Sequence, residues 1–423
     1  MKRDAQYRRV WRWHLYAGVL VAPVLVIVAL TGLGYIFKHD VNAWLHADVL
    51  FTDAPSVASQ DDELPLTLLV AAAEASKGSG WRASGVRVEA DPTRRFAISL
   101  RGPERARERL YVDQYTGRVV GPLPGDAVFP VLLKLHRSLF AGKVGRLLTE
   151  MTASWAVLLA LSGVYLWWPR GEGRLGAALF KRFTFAGFDG LKRSSLLEAH
   201  GVVGLWAAPL VVVIAVTGLF YSPYWGKGFS TLREWTGSRE LLPDLPETAS
   251  TATPASDFWQ ATLRLARERA PGCDHTIRGP GKPGKPVRVF SAGEVGPSVS
   301  HVMAIDPAGP RVLAARRFSE LPLLAQWSML NYRLHTGEVL GTASKLVYAA
   351  VMIGLAGLPV TGVWMWHKRR PPGRTGVPKR ANKSMPKWMA AVALAGACLL
   401  PVAGVSIAAV AAFDLLIGRR LLP

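Results

Sequence analysis

Long apolar runs alternate with long polar stretches along the chain, and five of the apolar runs are long enough to cross a membrane. A helix rises 1.5 Å per residue, so about 20 apolar residues cross a hydrocarbon core of about 30 Å. The first run is too long for a secretory signal, and no small-residue cleavage site follows it. The pattern therefore predicts a membrane α-helical protein with five spans, at 10–37, 147–168, 201–221, 343–366 and 388–413.

The first four spans repeat one unit. The stretch HLYAGVLVAPVLVIVALTG begins at His14, and HGVVGLWAAPLVVVIAVTG begins at His200 and aligns with it without a gap. Each unit consists of a span, an outer segment and a second span, over residues 10–170 and 196–368. Both units start on the same side of the membrane, which is typical of parallel repeats. The fifth span has no partner and is interpreted as an appended helix.

The two outer segments, 38–146 and 222–342, are also similar to each other. Each begins with a helical pattern, LTLLVAAAEASK at 66–77 and FWQATLRLARERA at 258–270, and continues into alternating strand-like stretches. The stretch YVDQYTG predicts a tight turn between two strands, and AIDPAGP is its looser counterpart. These features predict two small α+β domains.

Basic residues predict the orientation of the spans. The net charge is +21, and Lys and Arg residues precede the first span and crowd the loops 169–200 and 367–387. Such residues favour the cytoplasmic side, so the outer segments are expected in the periplasm of a bacterium. Because topology and the lipid bilayer account for this charge and no nucleic-acid motif occurs, we expect no nucleic-acid partner.

Four of the histidines occupy duplicated positions. His14 matches His200, and His136 matches His335, since each of the latter two precedes a Ser-Gly or Thr-Gly pair by 26 residues. An axis between the repeats can bring each pair face to face, and two facing imidazoles suit the axial positions of a haem. Zinc would need three or four donors, and no Cys, Asp or Glu accompanies these histidines at ligand spacing. Without a C-x-x-C-H motif the haem would be b-type, with two bis-histidine haems expected.

Other residues have lesser expected roles. Pro23 and Pro209 are expected to bend their spans, and the Ser-Gly and Thr-Gly pairs to provide small surfaces for helix packing. Tryptophans near the cytoplasmic ends of the spans are first of all an aromatic belt. Histidines without a repeat partner are interpreted as surface residues: His39, His46, His275 and His301.

Together the motifs RWHLYAGVLVAP, YVDQYTGRVVG, LHRSLFAGKVGRLL, AHGVVGLW and RLHTGEVLG resemble the PepSY-associated transmembrane family of bacterial inner-membrane proteins. The resemblance covers residues 8–370 and implies PepSY-like outer domains. It also implies a ferric-siderophore reductase that binds b-type haem through histidines, which fall here on His14, His136, His200 and His335. The partners implied are a ferric siderophore or another ferric chelate, and an electron donor that is a quinol or a cytoplasmic reductase. The second outer segment departs from the pattern, with IDPAGPRVL in place of VDQYTGRVV.

Two other functions stay open from the sequence. The outer domains could bind peptides or restrain a protease, with the spans as an anchor and no redox activity. A transporter would also use parallel repeats and bent helices. The repeated spans are expected to lack intramembrane Asp, Glu, Lys and Arg, which counts against a transporter.

Overall fold

The computed structural model describes residues 2–53, 60–125, 128–168, 192–242, 255–279, 285–293, 295–297, 299–370, 372 and 386–416. Helices and strands are numbered in chain order. Helices lie before, between and after two groups of four strands. Most of the predicted basic loops, 169–200 and 367–387, lies outside the described residues.

Four helices of the described chain are long and apolar enough to cross a membrane. They are α1 (Lys2–Ile36), α6 (Gly142–Trp167), α7 (Arg193–Leu219) and α11 (Gly341–Arg369). Helices α1 and α7 run unbroken through Pro23 and Pro209. The four helices pack around one apolar core that all of them share.

The fifth predicted span differs from the prediction. Residues 388–413 do not form one helix, because α12 (Lys387–Leu399) ends at Leu399 and α13 (Pro401–Leu416) begins after the single residue Leu400. Pro401 causes the break, since proline has no N–H to donate and disfavours a helical conformation in the residue before it. The indole of Trp155 in α6 donates a hydrogen bond of 2.9 Å to Ser406, which ties α13 to the bundle.

Shorter helices connect the spans to the outer part of the molecule. They are α2 (Lys38–Leu45), α3 (Ala47–Leu50), α4 (Leu66–Lys77), α5 (Val128–Ser138), α8 (Tyr224–Trp235), α9 (Phe258–Arg269) and α10 (Leu323–Thr336). Single turns of 3₁₀ helix lie at Gln60–Asp62, Pro103–Arg105 and Phe318–Glu320. Helices α4 and α9 match the two helical patterns predicted in the outer segments.

The outer strands form one antiparallel sheet of eight strands in the order β4-β3-β2-β1-β5-β6-β7-β8. The strands are β1 (Arg82–Val88), β2 (Phe96–Arg101), β3 (Arg107–Val112), β4 (Val119–Gly121), β5 (Asp274–Arg278), β6 (Val287–Ala292), β7 (His301–Ile305) and β8 (Val312–Arg317). The two predicted modules are therefore joined edge to edge through β1 and β5, and α4 and α9 cover one face of the joint sheet over a common core.

The repeat extends into the sheet residue by residue. Val86 pairs with Ile98 as Ile277 pairs with Val289, and Asp113 and Asp306 begin equivalent turns. In each turn the aspartate carboxylate accepts the backbone N–H two residues later. A pseudo-twofold axis therefore passes between β1 and β5. We call the end of the helix bundle next to this sheet the sheet side, and the opposite end the far side.

Candidate functional site

The structure brings together both histidine pairs that the repeat predicts. The ring centroids of His14 and His200 lie 6.4 Å apart on the far side. Those of His136 and His335 lie 6.2 Å apart on the sheet side. The partners of each pair come from opposite repeats, so each pair lies across the boundary between the two halves of the chain. Their role as ligands stays a prediction.

A hydroxyl group from a neighbouring span holds each imidazole at Nδ1. On the far side, Ser162 lies 2.9 Å from Nδ1 of His14, and Thr361 lies 3.0 Å from Nδ1 of His200. On the sheet side, the corresponding distances are 3.1 Å from Thr31 to His136 and 3.3 Å from Thr217 to His335. These hydroxyls belong to the Ser-Gly and Thr-Gly pairs that were predicted to serve helix packing.

The direction of these hydrogen bonds fixes the tautomer of the rings. Each hydroxyl already donates its proton to a carbonyl one turn earlier in its own helix, so its oxygen accepts from the Nδ1–H of the histidine. Nδ1 of His136 and of His335 also lies 3.0 Å from a backbone oxygen, of Val28 and Ile214, and a carbonyl can only accept. Nε2 is therefore the nitrogen with the free lone pair.

The glycine of each Ser-Gly or Thr-Gly dipeptide leaves room for the imidazole ring. A Cβ atom added to Gly218 would lie 2.9 Å from Cε1 of His335, and one added to Gly32 would lie 3.2 Å from Cε1 of His136. The far-side contacts are slightly wider, at 3.4 Å for Gly163 and 3.5 Å for Gly362. The dipeptide thus combines a hydrogen-bond acceptor with a surface against which the imidazole packs.

Each histidine pair borders a cavity. The far-side cavity has a volume of about 770 Å³ and is lined mostly by apolar side chains and tryptophans, with Arg193, Glu198 and Arg369 among its polar residues. The sheet-side cavity has a volume of about 300 Å³. Both volumes fall within the range of about 300–1,000 Å³ that is typical of cofactor sites.

One layer of four buried side chains separates the two cavities. Leu25, Ala156, Val211 and Leu355 line both cavities, and each comes from a different span. The layer follows the repeat, because Leu25 and Val211 lie 11 residues after His14 and His200, and Ala156 and Leu355 lie 20 residues after His136 and His335. We call these four residues the septum.

The sheet-side cavity contains polar residues that the sequence did not single out. Glu150 of α6 is 2% exposed and accepts hydrogen bonds from the backbone N–H groups of Tyr224 and Trp225, which begin α8. The ring of Tyr221 lies 5.6 Å from that of His335. The expectation that the repeated spans lack Asp, Glu, Lys and Arg is therefore wrong. The sequence shows Glu150 within the predicted span, but not the helix end that it caps.

The sheet-side imidazoles are neutral. Helices α5 and α10, which carry them, lie outside the four spans, and burial lowers the pKa of His335 to about 4, with a further contribution from His136. Burial also lowers the pKa of His136. A neutral imidazole with a free Nε2 is the form that binds a metal ion.

His275 was predicted to be a surface residue, and this prediction is wrong. It is 1% exposed in β5, and its Nδ1 lies 2.9 Å from the hydroxyl of Ser291 in β6. Its alternating position in the strand places it on the core face of the sheet. His39 is exposed, whereas His46 and His301 are partly buried.

The tryptophans Trp11, Trp167, Trp168 and Trp366 line the far-side cavity.

Comparison with known protein families identifies the chain. A family model described as the PepSY-associated TM region matches residues 11–369. The chain belongs to this PepSY-associated transmembrane family. The match includes all four spans and both histidine pairs of the PepSY-associated protein, and it ends before α12.

A curated relative is similar to part of the chain. An uncharacterized protein of Pseudomonas aeruginosa is 27% identical over 229 residues, which cover 51% of this chain and 48% of the relative. The PepSY-associated protein thus spans about half the length of the relative that it matches.

Proposed function

We propose that this protein is a b-type cytochrome of the bacterial inner membrane that passes electrons across the membrane to ferric chelates. The observation that carries the proposal is the pair of repeat-related imidazoles at each end of the bundle, each held at Nδ1 and free at Nε2. The substrates would be ferric siderophores or other ferric chelates, and the donor a quinol or a cytoplasmic reductase.

The spacing of the rings suits one metal held between them. Two imidazoles that share a metal through bonds of about 2.0 Å each have their ring centres roughly 6 Å apart. The ring centroids lie 6.4 Å and 6.2 Å apart. Two imidazoles are a ligand set that would hold a haem. Within the described part of the chain, no group of three or more His, Cys, Asp or Glu residues offers a site for a bare metal ion.

Each part of the chain has a task in this function. His14 and His200 would hold one haem and His136 and His335 the other, and each haem would supply a centre that gains or loses one electron. The hydroxyl partners orient the imidazoles and raise their basicity. The buried septum keeps water from passing between the two sites and keeps the sites apart. Reduction would release the iron, because hard oxygen donors hold Fe(III) better than Fe(II).

The proposed orientation places the N-terminus in the cytoplasm and the sheet in the periplasm. The first turns of α1, on the far side, contain Arg8, Arg9 and Arg12, which supports this orientation by the positive-inside rule. Electrons would then enter on the far side, near His14 and His200, and leave on the sheet side.

Anaerobic reoxidation tests the function directly. The purified protein is reduced with dithionite, freed of excess reductant and mixed with a ferric chelate while the visible bands and the Fe(II) formed are recorded. We expect the reduced bands to disappear as Fe(II) appears, one Fe(II) for each electron lost. The variant His136→Ala/His335→Ala should transfer electrons much more slowly, whereas His46→Ala, which alters a histidine without a repeat partner, should behave as the natural protein.

A protein without haem when produced in haem-replete cells would contradict the proposal, and so would reduced bands that no ferric chelate oxidises. A colourless protein whose outer sheet binds peptides would instead favour the membrane-anchored PepSY module, which the sequence left open.

A further inference from the structure

The face of the sheet away from α4 and α9 is rich in arginine. Side chains alternate between the two faces of a strand, so the neighbours of the core residues Val86, Ile98 and Ile277 point to the opposite face, which we call the open face. Seven arginines occupy its positions: Arg87, Arg101, Arg107, Arg109, Arg278, Arg288 and Arg316.

Among the residues that the structure describes, most of this charge has no counter-ion. Arg87 pairs with Glu89 at 2.6 Å and with Asp274 at 3.1 Å. Among the described residues, none of the other six arginines forms an ion pair. Arg101 and Arg107 even lie directly opposite each other on β2 and β3, although like charges in such positions destabilise a sheet. This arrangement is costly for the free protein and favours an anionic ligand.

At the centre of the open face, two small residues lie between two arginines, and we call this arrangement the cleft. One row of paired residues crosses four strands, from Arg109 through Ser99 and Gly85 to Arg278. The two middle residues, Ser99 and Gly85, are small. Gly85 has no side chain, and a Cβ atom added there would lie 2.9 Å from the backbone oxygen of Ile277. Both arginines are exposed, and Arg278 stacks over the ring of Phe290 at 4.7 Å.

The open face is turned toward the sheet-side histidine pair. Its residues Phe290, Val302 and Ala304 pack in one cluster with Met329 of α10, the helix that carries His335. Arg333 of the same helix donates a hydrogen bond of 2.8 Å to the backbone oxygen of Gly293, just after β6. Arg278 corresponds to Arg87 in the repeat, so the two flank the pseudo-twofold axis between β1 and β5.

We propose that the Arg109–Ser99–Gly85–Arg278 cleft binds the ferric substrate and selects chelates with net negative charge, such as those of carboxylate or catecholate ligands. The inference rests on the proposed function and adds the substrate class to it. Guanidinium groups bind such oxygens with paired, charge-assisted hydrogen bonds. Small residues between the arginines leave space for a bulky complex over the sheet.

Binding of gallium(III)–EDTA, an anionic complex that cannot be reduced under these conditions, tests the cleft without any redox step. The full-length protein is placed in nanodiscs of phosphatidylcholine, and binding is followed by calorimetry. We expect the natural protein to bind this anion and not the cationic gallium complex of desferrioxamine B. The variant Arg109→Gln/Arg278→Gln should bind the anion at least about tenfold more weakly, since each charge-assisted hydrogen bond contributes appreciably.

Arg264→Gln is the matched control, because Arg264 is an exposed arginine of α9 on the covered side of the sheet, paired with Glu268 at 3.7 Å. It should bind gallium(III)–EDTA as the natural protein does. Equal binding by the natural protein and the double variant would overturn the proposal, as would no binding by the natural protein. Loss of binding when phosphatidylglycerol is added to the nanodiscs would assign the arginines to lipid headgroups and would also overturn it.

This experiment separates the two proposals. The gallium complex reports binding whether or not the protein contains haem. Absence of haem would therefore contradict the cytochrome alone, and absence of arginine-dependent binding would contradict the cleft alone.

Discussion

At the residue scale, the orientation of each of the four imidazoles depends on a hydroxyl partner at Nδ1. The repeat in the sequence identifies the histidines and the Ser-Gly and Thr-Gly pairs, yet it does not connect them. Ser162 lies 148 residues after His14 in the chain, so the contact depends on how the spans pack. The glycines of these pairs were predicted to pack against neighbouring helices. In the structure they also pack against the imidazole rings.

Removing one hydroxyl should weaken one of the two proposed haem sites. We expect Ser162→Ala to lower haem affinity on the far side about 10- to 100-fold, as is usual when the group that orients a ligating histidine is lost. Thr31→Val should have a smaller effect, because Nδ1 of His136 keeps its hydrogen bond to the backbone oxygen of Val28. Transfer of haem to excess apomyoglobin, followed by absorbance, measures both.

Ser76→Ala is the control for these variants. The Ser76 hydroxyl donates to the backbone oxygen of Ala73 in its own helix, α4, and lies outside the lining of both cavities. Haem loss from Ser76→Ala as fast as from Ser162→Ala would show that the hydroxyl on His14 has no special role.

At the scale of elements, apolar patterns and repeats predict the four spans and the helices α4 and α9. They do not predict that the two outer modules form one sheet, because β1 and β5 belong to different repeats and lie far apart in sequence. The apolar run 388–413 is long enough for one span, but it contains Pro401, which divides it into α12 and α13.

The septum is an element-scale feature with a measurable effect on stability. Leu355→Ala would remove most of one of its four side chains and join the two cavities. We expect a loss of about 2–5 kcal/mol in the free energy of unfolding, as for other buried leucines. Thermal unfolding in detergent should show a lower midpoint for this variant.

Leu161→Ala provides the comparison, because Leu161 is 58% exposed on α6. It should change the midpoint little. Similar shifts for the two variants would mean that the septum is not tightly packed.

At the scale of the whole molecule, one pseudo-twofold relation organises the sheet, the spans and both histidine pairs. The sequence reveals it as two copies of one unit, and the structure adds that the copies meet along β1 and β5 and across the bundle. Because the septum separates the cavities, we expect the two histidine pairs to act as independent sites. Altering one pair should leave the other intact.

Haem content per chain tests this account most directly. Pyridine haemochrome spectra of the purified protein should give two b-type haems for the natural chain. They should give one for His14→Ala/His200→Ala, one for His136→Ala/His335→Ala and none when all four histidines are replaced. A natural chain without haem, or a pair variant that keeps both haems, would contradict the account.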